Sequence, residues 1–250
     1  MGTWILLRGW TREKRHWEDF PEHLAAFVPG ADARAIDLPG AGQRHTEKTP
    51  SSIARIVQEV RDDTACRNGA GPLSLVGLSL GGLVAMEWAR EHPGEIERLV
   101  LINTSARPYC HMTRRLRPSN YATIVRLMLA PPGPRRESGI LQLTTTRPAD
   151  PDRIARWDVW ARQLPVARVN ALRQLAAATA YRAPAAPSCH ATLVLASAAD
   201  RLVDPRCSRD LARAWNVPFA MHPSAGHDLP LDDGPWVAAQ VARWLGAAMP

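Results

Sequence analysis

The sequence lacks a long hydrophobic run. Although 46% of its 250 residues are hydrophobic, no apolar stretch approaches the roughly 20 residues that a membrane-spanning helix needs. Residues 1–9 are too short for a signal peptide and lack its charged start and cleavage site. Internal repeats and low-complexity tracts are also missing. We therefore expect a single domain that acts in the cytoplasm, with no membrane partner.

Cysteine is scarce and unpatterned. The four cysteines, Cys66, Cys110, Cys189 and Cys207, show none of the spacings that bind metals. Scattered cysteines of this kind are typical of a protein in a reducing compartment. The sequence therefore predicts free thiols and no metal site.

The segment 106–186 contains no lysine and few acidic residues. Its fourteen arginines and four carboxylates give it a net charge of +10, and since the whole chain carries +7, the remainder carries −3. This concentration predicts an anionic partner at the segment, although a solvated arginine-rich surface is the alternative. No nucleic-acid-binding motif accompanies the charge, so we expect no nucleic-acid partner.

One short stretch carries the strongest chemical signal. Residues 73–87 read as an apolar strand, a tight turn and a helix, and the turn at 77–81 has the pattern Gly-x-Ser-x-Gly. A serine on such a turn has strained backbone angles, and its hydroxyl projects from the end of the sheet. The next helix points its free N–H groups and partial positive charge at whatever binds the serine. We predict that Ser79 is a nucleophile.

Strands alternate with helices through most of the chain, which predicts right-handed crossovers and a parallel sheet. Between 106 and 186 only helical pieces follow one another, so this segment is predicted to be a helical lid inserted into a core formed by 1–105 and 187–250. The predicted strands are 4–7, 33–38, 73–76, 99–102, 191–196 and 218–221. The predicted helices are 14–28, 53–60, the one after the turn, 205–215 and 234–249, with 120–130, 137–143, 150–163 and 166–181 in the lid.

The order of the motifs resembles that of α/β-hydrolases. A loop Arg8-Gly9-Trp10 follows the first strand, the Gly-x-Ser-x-Gly turn follows the third, and a strand that ends near Asp200 precedes Gly226-His227. The resemblance covers nearly the whole chain and implies an α/β-hydrolase fold with helices on both faces of the sheet and an inserted helical lid. Family members usually have two further strands at the start, so we expect about six parallel strands here.

The resemblance assigns a catalytic triad of Ser79, His227 and Asp200, in the family's order of serine, acid and histidine. Asp204 competes for the role of the acid, but it precedes a proline and a helix, where capping is the ordinary role. Some relatives carry the acid after the fourth strand, where this chain has Asn103. We therefore expect Asp200 to orient the histidine.

The oxyanion hole is expected to use the backbone N–H groups of Leu80 and Trp10. Many relatives have His-Gly where this chain has Arg8-Gly9. The backbone donor survives this change, and Arg8 becomes a candidate to meet an acidic group of the substrate. Asp228, beside the histidine, is expected to be a loop or supporting residue.

Within the family, the turn, the Gly9-Trp10 loop, the segment 226–230 and the lid look most like those of pimeloyl-[acyl-carrier-protein] methyl ester esterases, which act in biotin synthesis. This implies a monomeric serine carboxylesterase that needs no cofactor or metal and acts on a small acyl ester, with acyl carrier protein as a candidate partner. Carbon–carbon bond hydrolases and thioesterases or acyltransferases of the same fold remain alternatives, as does a non-catalytic binding module. The sequence does not fix the acyl chain length.

The lid supplies two groups of candidate substrate-binding residues. The apolar group, which adds to Trp10, is expected to line an acyl pocket, with packing among the lid helices as the alternative. The basic group is expected to meet an acidic carrier protein. The apolar candidates are Met112, Leu116, Leu127, Trp157 and Trp160, and the basic ones are Arg114, Arg115 and Arg117, with Arg135 and Arg136 beside a proline turn.

Overall fold

A computed structural model describes residues 2–62, 71–148 and 150–247. These residues contain a six-stranded sheet in which every neighbouring pair of strands is parallel. The strands are β1 Gly2–Leu7, β2 Ala31–Ile36, β3 Leu73–Leu78, β4 Ile96–Ile102, β5 Ala191–Ser197 and β6 Phe219–His222. Their order across the sheet is β2-β1-β3-β4-β5-β6.

The helices follow the strands in the alternating order that the sequence predicts. Short 3-10 helices cover Lys14–Trp17, Gly42–Arg44 and Pro118–Asn120. The α-helices are α1 Phe20–Phe27, α2 Ile53–Arg61, α3 Leu80–Glu91, α4 Met112–Arg115, α5 Tyr121–Leu129, α6 Pro134–Thr144, α7 Pro151–Gln163, α8 Arg168–Ala180, α9 Arg206–Trp215 and α10 Leu229–Ala247. Over the ranges described, none of them is both long enough and apolar enough to cross a bilayer.

The sheet is covered on both faces because its central strands are apolar at successive positions. Along β3, Leu75 packs in one hydrophobic cluster while Val76 and Leu78 pack in the other, as the alternation of side chains in a strand requires. Helices α2, α3 and α9 belong to the first cluster, and α1 and α10 belong to the second. The predicted fold is confirmed as a parallel sheet between two layers of helices.

The strand order places a topological switch between β1 and β3. The chain leaves β1 toward one edge of the sheet to form β2, then returns to the other side of β1 to form β3. In open parallel sheets a crevice forms at such a switch, at the carboxyl ends of the strands. The loops after β1 and β3, which carry Trp10 and Ser79, therefore meet at this crevice.

Two predicted helices differ from those observed. The helix predicted for 14–28 is divided, because Glu18 has a φ of 49°, which no helix accommodates, and α1 starts afresh with a proline in its first turn. The helix predicted for 234–249 starts earlier, at Leu229, and bends at Asp233, whose φ and ψ are −153° and 73°. Pro235 follows this bend. Residues 248–250 lie outside the described residues.

The segment 106–186, called the insertion below, lies between β4 and β5. Its described residues form α4 to α8 and no strand, apart from an isolated bridge between Arg107 and Arg182. A buried cluster of Leu141, Trp157 and Leu231 connects the insertion to α10 of the core. The insertion thus packs on the core through apolar side chains of its own helices.

The structure corrects the prediction that the cysteines are free. Cys110, at the start of the insertion, forms a disulfide with Cys207 in α9. Their Cα atoms are 5.1 Å apart, within the usual range for such a bond. Cys189 is a buried free thiol, and Cys66 lies outside the described residues. A pairing across 97 positions of sequence could not be read from spacing alone.

Candidate active site

Ser79 occupies a sharp turn between β3 and α3. Its φ and ψ are 55° and −112°, a combination that is strained for a residue with a side chain. The turn requires glycine on both sides of the serine. A Cβ at Gly77 would collide with the backbone of α3, and one at Gly81 would collide with the carbonyl oxygen of Leu7 in β1. The Gly-x-Ser-x-Gly pattern therefore reflects two close backbone approaches.

His227 and Asp200 form a buried pair. The Nδ1 atom of His227 lies 2.7 Å from Oδ2 of Asp200, and the other carboxylate oxygen accepts the N–H groups of Leu202 and Val203 at 2.8 and 2.9 Å. When the imidazole carries its proton on Nδ1, this N–H donates a hydrogen bond to Asp200. The Nε2 lone pair then remains free to accept a proton. Burial alone would lower the pKa of His227, but the charge and hydrogen bond of Asp200 raise it above its ordinary value.

Asp204 lies apart from this pair. Its carboxylate accepts the backbone N–H of Arg206 at 2.9 Å and contacts the guanidinium of the same residue. These contacts, above all the side-chain hydrogen bond, lower the pKa of Asp204 to about 2. Asp204 thus stabilises the beginning of α9, whereas the carboxylate that contacts His227 is that of Asp200.

Asn103 supports the histidine from the end of β4. Its side-chain amide donates to the carbonyl oxygen of His227 at 2.8 Å, and its side-chain oxygen accepts the N–H of Ser197 at 2.9 Å. At the position where some relatives carry their acid, this chain therefore has a residue that holds the histidine loop in place. No local pattern in the sequence indicates this contact.

Ser79 and His227 line one cavity, called the serine cavity below. Ser79 also lines a second cavity of about 460 Å³, called the apolar cavity, to which His227 does not contribute. The loop after β1 lies against the serine, since a Cβ on Gly9 would be 3.4 Å from the Cβ of Ser79. Trp10, on the same loop, lines both cavities.

The two expected oxyanion donors lie beside the serine. Leu80 is the first residue of α3, so its N–H has no acceptor within the helix. The loop that carries Trp10 is held against α8, because the Trp10 indole N–H donates to the carbonyl oxygen of Ala171 at 2.8 Å and Thr11 N–H donates to Gln174 at 3.0 Å. Their role as donors remains a prediction.

Arg8 forms a buried ion pair with Asp228. Its Nη1 and Nη2 atoms donate to the two oxygens of this carboxylate at 3.0 and 2.6 Å, and both side chains are almost fully buried. The guanidinium also lies 5.0 Å from the ring centre of Trp17. The charge of Arg8 is thus balanced within the protein, and the pair joins the Trp10 loop to the residue after His227.

The apolar candidates of the insertion fall into two groups. Met112 and Leu116 line the apolar cavity, and Leu127 lines the serine cavity. Trp157 is fully buried between the insertion and the core, and Trp160 borders a neighbouring cavity. Neither tryptophan lines the two cavities that contain Ser79, so we do not expect either of them to contact a substrate bound at Ser79.

The basic candidates also differ from one another. Arg114 is exposed and lies 4.0 Å from Asp210. Arg115 is buried and donates to the carbonyl oxygens of Ala178 and Thr179 at the end of α8, at 2.5 and 3.3 Å. Burial, with a smaller effect of Arg107, lowers its pKa to about 10. Arg117 lines neither cavity that contains Ser79. Of these three, only Arg114 has the exposure expected of a docking residue, and Arg135 beside the proline turn is also exposed.

Stacked cations connect the loop after β1 to the insertion, a feature that the sequence did not reveal. The guanidinium of Arg12 lies 4.8 Å from the ring centre of Trp157, and that of Arg15 lies 5.0 Å from the ring centre of Trp160. His16 contacts both rings edge-on. Because the same loop carries Trp10, the insertion helps to position the expected oxyanion donor.

This arrangement contains the parts that acyl transfer needs: a strained serine, a base with an orienting carboxylate, and N–H groups beside the serine. Ser79 and His227 both line one cavity. Across the described ranges, no three His, Cys, Asp or Glu side chains are grouped as metal ligands would be.

Curated relatives match part of the chain. The biotin biosynthesis bifunctional protein BioHC of Teredinibacter turnerae is 33% identical over 108 residues, which cover 40% of this chain and 17% of that protein. The pimeloyl-[acyl-carrier protein] methyl ester esterase of Aromatoleum aromaticum is 36% identical over 113 residues, which cover 44% of this chain and 39% of that protein. The matched segment thus spans well under half the length of either relative.

The fold and the family are matched over far more of the chain. The crystal structure of a putative lipase from Acinetobacter baumannii AYE superposes with a TM-score of 0.77 at 20% identity, and covers 98% of this chain and 84% of that one. The sequence profile of the alpha/beta hydrolase family matches residues 4–240. A match that starts in β1 and ends in α10 includes the serine turn, the insertion and the histidine loop, and the chain therefore belongs to the alpha/beta hydrolase family.

Proposed function

We propose that this hydrolase is a serine carboxylesterase in which Ser79, His227 and Asp200 act as a triad. The observation that carries the proposal is the buried hydrogen bond between His227 and Asp200, beside a cavity that the strained Ser79 also lines. A structural histidine would not need to share a cavity with a serine held at an unfavourable backbone conformation.

The proposed reaction follows from these positions. Ser79 Oγ attacks the acyl carbonyl while His227 Nε2 accepts its proton, and Asp200 stabilises the imidazolium that forms. The N–H groups of Leu80 and Trp10 stabilise the negative oxygen, an interaction whose loss typically costs about 10²–10³ in rate. His227 then returns the proton to the leaving alcohol, which leaves an acyl-enzyme. Water, activated by the same histidine, releases the acid and restores the serine.

The apolar cavity supports an acyl chain as one part of the substrate. Ser79 lines it whereas His227 does not, and most of its lining consists of apolar side chains such as Leu83, Met112 and Leu116. The burial of a chain in such a cavity contributes about 0.8 kcal/mol for each methylene group. We therefore expect turnover to depend on acyl chain length.

The finer proposal is that the ester is pimeloyl-acyl carrier protein methyl ester or a similar carrier-linked ester. Two observations support it: the names of the partly matching relatives, and the concentration of arginine in the insertion. An acidic carrier would be attracted to this face over about 8 Å at physiological salt.

The central test is a fluorophosphonate probe, which labels an activated serine. The wild-type protein should be labelled and the Ser79→Ala variant should not, and only the wild type should hydrolyse a series of p-nitrophenyl esters. A folded wild-type protein that takes no label and cleaves no ester would be a binding module instead. Faster cleavage of a ring-cleavage diketone than of any ester would favour a carbon–carbon bond hydrolase.

The carrier partner needs a separate test on exposed arginines. Arg115 is unsuitable, because its charge reversal would disrupt the end of α8. The Arg114→Glu and Arg135→Glu double variant changes two exposed side chains. It should slow the turnover of a carrier-linked methyl ester and leave a p-nitrophenyl ester nearly unchanged, and added salt should slow only the carrier-linked reaction. Equal rates for both proteins on the carrier-linked ester, at every salt concentration, would remove the carrier from the proposal.

A further inference from the structure

Three arginines from separate elements meet on one wall of the serine cavity. Arg12 comes from the loop after β1, Arg136 from α6 and Arg168 from the first position of α8, and each of them lines the cavity that also contains Ser79 and His227. Arg8 and Asp228, which are the other Arg, Lys, Asp or Glu residues of that lining among the described residues, neutralise each other. The excess positive charge therefore belongs to these three arginines, called the arginine wall below.

The arginine wall forms ion pairs with one carboxylate among the described residues, that of Glu137. The fully buried Glu137 accepts Nη1 of Arg12 at 2.8 Å through one oxygen and Nη1 of Arg136 at 3.4 Å through the other. Within the described part of the chain, no second carboxylate pairs with the wall. Three positive charges thus face one negative charge.

The remaining donors of the wall mostly bind backbone. Arg136 Nε donates to the carbonyl oxygen of Leu127 at 3.0 Å, and Arg168 donates to the last carbonyl oxygens of α5 at 3.1 and 2.7 Å. These contacts satisfy hydrogen bonds and hold the guanidinium groups in position, but they do not neutralise the charge. The Nη2 atom of Arg12 is buried, and among the described residues it has no hydrogen-bond partner.

The excess positive charge of the arginine wall favours the binding of an anion. Burial lowers the pKa of Arg136, Glu137 opposes this, and the charges of Arg12 and Arg168 lower it further. Arg12 and Arg136 are partly buried whereas Arg168 is exposed, and like charges repel one another more strongly where burial reduces their screening. Guanidinium groups bind carboxylate and phosphate through short, charge-assisted hydrogen bonds. An anion at the wall would therefore relieve the repulsion and gain hydrogen bonds.

We propose that the arginine wall is an anion subsite, which binds a carboxylate or phosphate group carried by the ester substrate. The inference rests on the proposed esterase function and specifies its substrate class. Ser79 lines both the serine cavity and the apolar cavity, so a substrate bound at Ser79 can reach both. The substrate then carries an apolar chain for the apolar cavity and an anionic group for the serine cavity.

The test compares matched esters that differ only in one charge. One pair places the charge on the alcohol: 4-(butanoyloxy)benzoate and 4-(butanoyloxy)benzamide. The other places it on the acyl group: the monomethyl ester of a dicarboxylic acid and the corresponding methyl ester amide. A further ester, which carries a phosphate group on the alcohol, tests whether the wall binds phosphate. For each pair, the quantity measured is the ratio of kcat/KM for the anionic ester to that for the neutral ester.

The informative variants are Arg136→Gln and Arg168→Gln, with Arg162→Gln as the control. Arg162 is an exposed insertion arginine paired with Asp158 and lines neither cavity that contains Ser79. Loss of one charge-assisted contact should reduce the ratio for the preferred pair by about 10- to 100-fold, mainly through KM. Arg162→Gln should leave the ratio unchanged, and Arg136→Lys should restore part of it. The pair that responds shows which side of the ester carries the anion.

Two results would overturn the subsite. One is a ratio that stays the same in Arg136→Gln and Arg168→Gln for every pair, and the other is an equal fall in Arg162→Gln. Failure of the subsite differs from failure of the esterase itself. A wild-type protein that takes the fluorophosphonate label and hydrolyses neutral esters without any preference for anionic ones keeps its proposed chemistry and loses only the subsite. Melting temperatures of all variants establish that they are folded.

Discussion

The core and the insertion differ in how they hold their arginines. In the core, charged side chains pair with carboxylates, as Arg8 does with Asp228. In the insertion, some arginines pair with carboxylates, as Arg162 does with Asp158, but four others bind backbone carbonyl oxygens where helices end, and these carbonyls carry the negative end of the helix dipole. The arginines that bind in this way are Arg107 on Ala180, Arg115 on Ala178 and Thr179, Arg136 on Leu127, and Arg168 on Met128 and Leu129.

The kind of partner decides whether an arginine keeps its charge, because both kinds hold the guanidinium in position. A carboxylate partner fixes a cation and neutralises it, whereas a carbonyl partner fixes it and leaves its charge in place. The insertion therefore remains electropositive although many of its arginines are held rigidly. We propose that the core positions most of the reacting groups and that the insertion contributes most of the electric field that a substrate meets. The following predictions test this division, from the largest expected effect to the smallest.

The largest effect is expected in the core, at Asp200. Asp200→Asn should reduce kcat by about 10⁴, because an amide cannot stabilise the His227 imidazolium and favours the wrong tautomer. Asp204→Asn is the matched control, since Asp204 contacts Arg206 instead of His227. Its kcat should change little. The assignment of the acid fails if Asp204→Asn abolishes turnover in a folded protein while Asp200→Asn spares it.

The two kinds of pairing should differ in stability. Arg8→Met leaves the Asp228 carboxylate buried and unpaired, which should lower the free energy of unfolding by about 3–5 kcal/mol. Arg115→Met leaves only neutral carbonyl groups unpaired and should cost about 1–3 kcal/mol. Urea unfolding measures both.

The stability comparison has an internal control. Addition of Asp228→Asn to Arg8→Met removes the unpaired charge and should restore part of the lost stability. If Arg115→Met lowers the free energy of unfolding as much as Arg8→Met does, then the loss of the carbonyl contacts is as costly as the loss of the ion pair, and the expected difference is wrong.

The pH dependence of kcat/KM should respond to the Arg8–Asp228 pair. His227 accepts a proton only when it is neutral, so activity should rise with pH through its pKa. Since that pKa is raised, the wild-type midpoint should lie above the ordinary value of about 6.5. Asp228 raises the pKa and Arg8 lowers it. Asp228→Asn should therefore move the midpoint to lower pH and Arg8→Met to higher pH, and shifts of the same sign would contradict this account.

The smallest effects are expected at helix caps, where they show whether the two regions unfold together. Ser52 caps α2 in the core through the N–H of Arg55, and Asp150 caps α7 in the insertion through two N–H groups. Ser52→Ala should cost about 1 kcal/mol, and Asp150→Ala should have the same sign. We expect a single thermal transition that both variants lower. A separate early transition, lowered by Asp150→Ala alone, would mean that the insertion unfolds independently.

The sequence predicted the features that depend on local pattern. Ser79, Asp200 and His227 each follow a strand, and parallel strands bring their carboxyl ends to one edge of the sheet. The Ser52 and Asp150 caps also depend only on neighbouring residues. The locations of these residues follow from short-range rules, although the triad itself remains a proposal.

Features that depend on distant contacts could not be predicted. Arg8 and Asp228 are 220 positions apart, and neither is unusual alone. The sequence identified Trp157 as an apolar residue of the insertion, but it did not show that Trp157 packs against Leu231 of α10 and not in a cavity that contains Ser79. In the same way, a run of arginines did not reveal that Arg115 is buried against the end of α8. Periodicity identifies which side of a helix is covered, and the tertiary fold decides what covers it.

The Cys110–Cys207 disulfide has a consequence for limited proteolysis. The bond spans the insertion and β5, since its two cysteines are separated by 97 positions. A protease that cuts once within the insertion after Cys110 would leave two fragments that the disulfide still joins. On a denaturing gel the nicked protein would migrate as one species without reductant and as two with it. A cut before Cys110 or after Cys207 would release a fragment in both lanes. The two lanes together therefore show whether the accessible site lies inside or outside the loop that the disulfide closes.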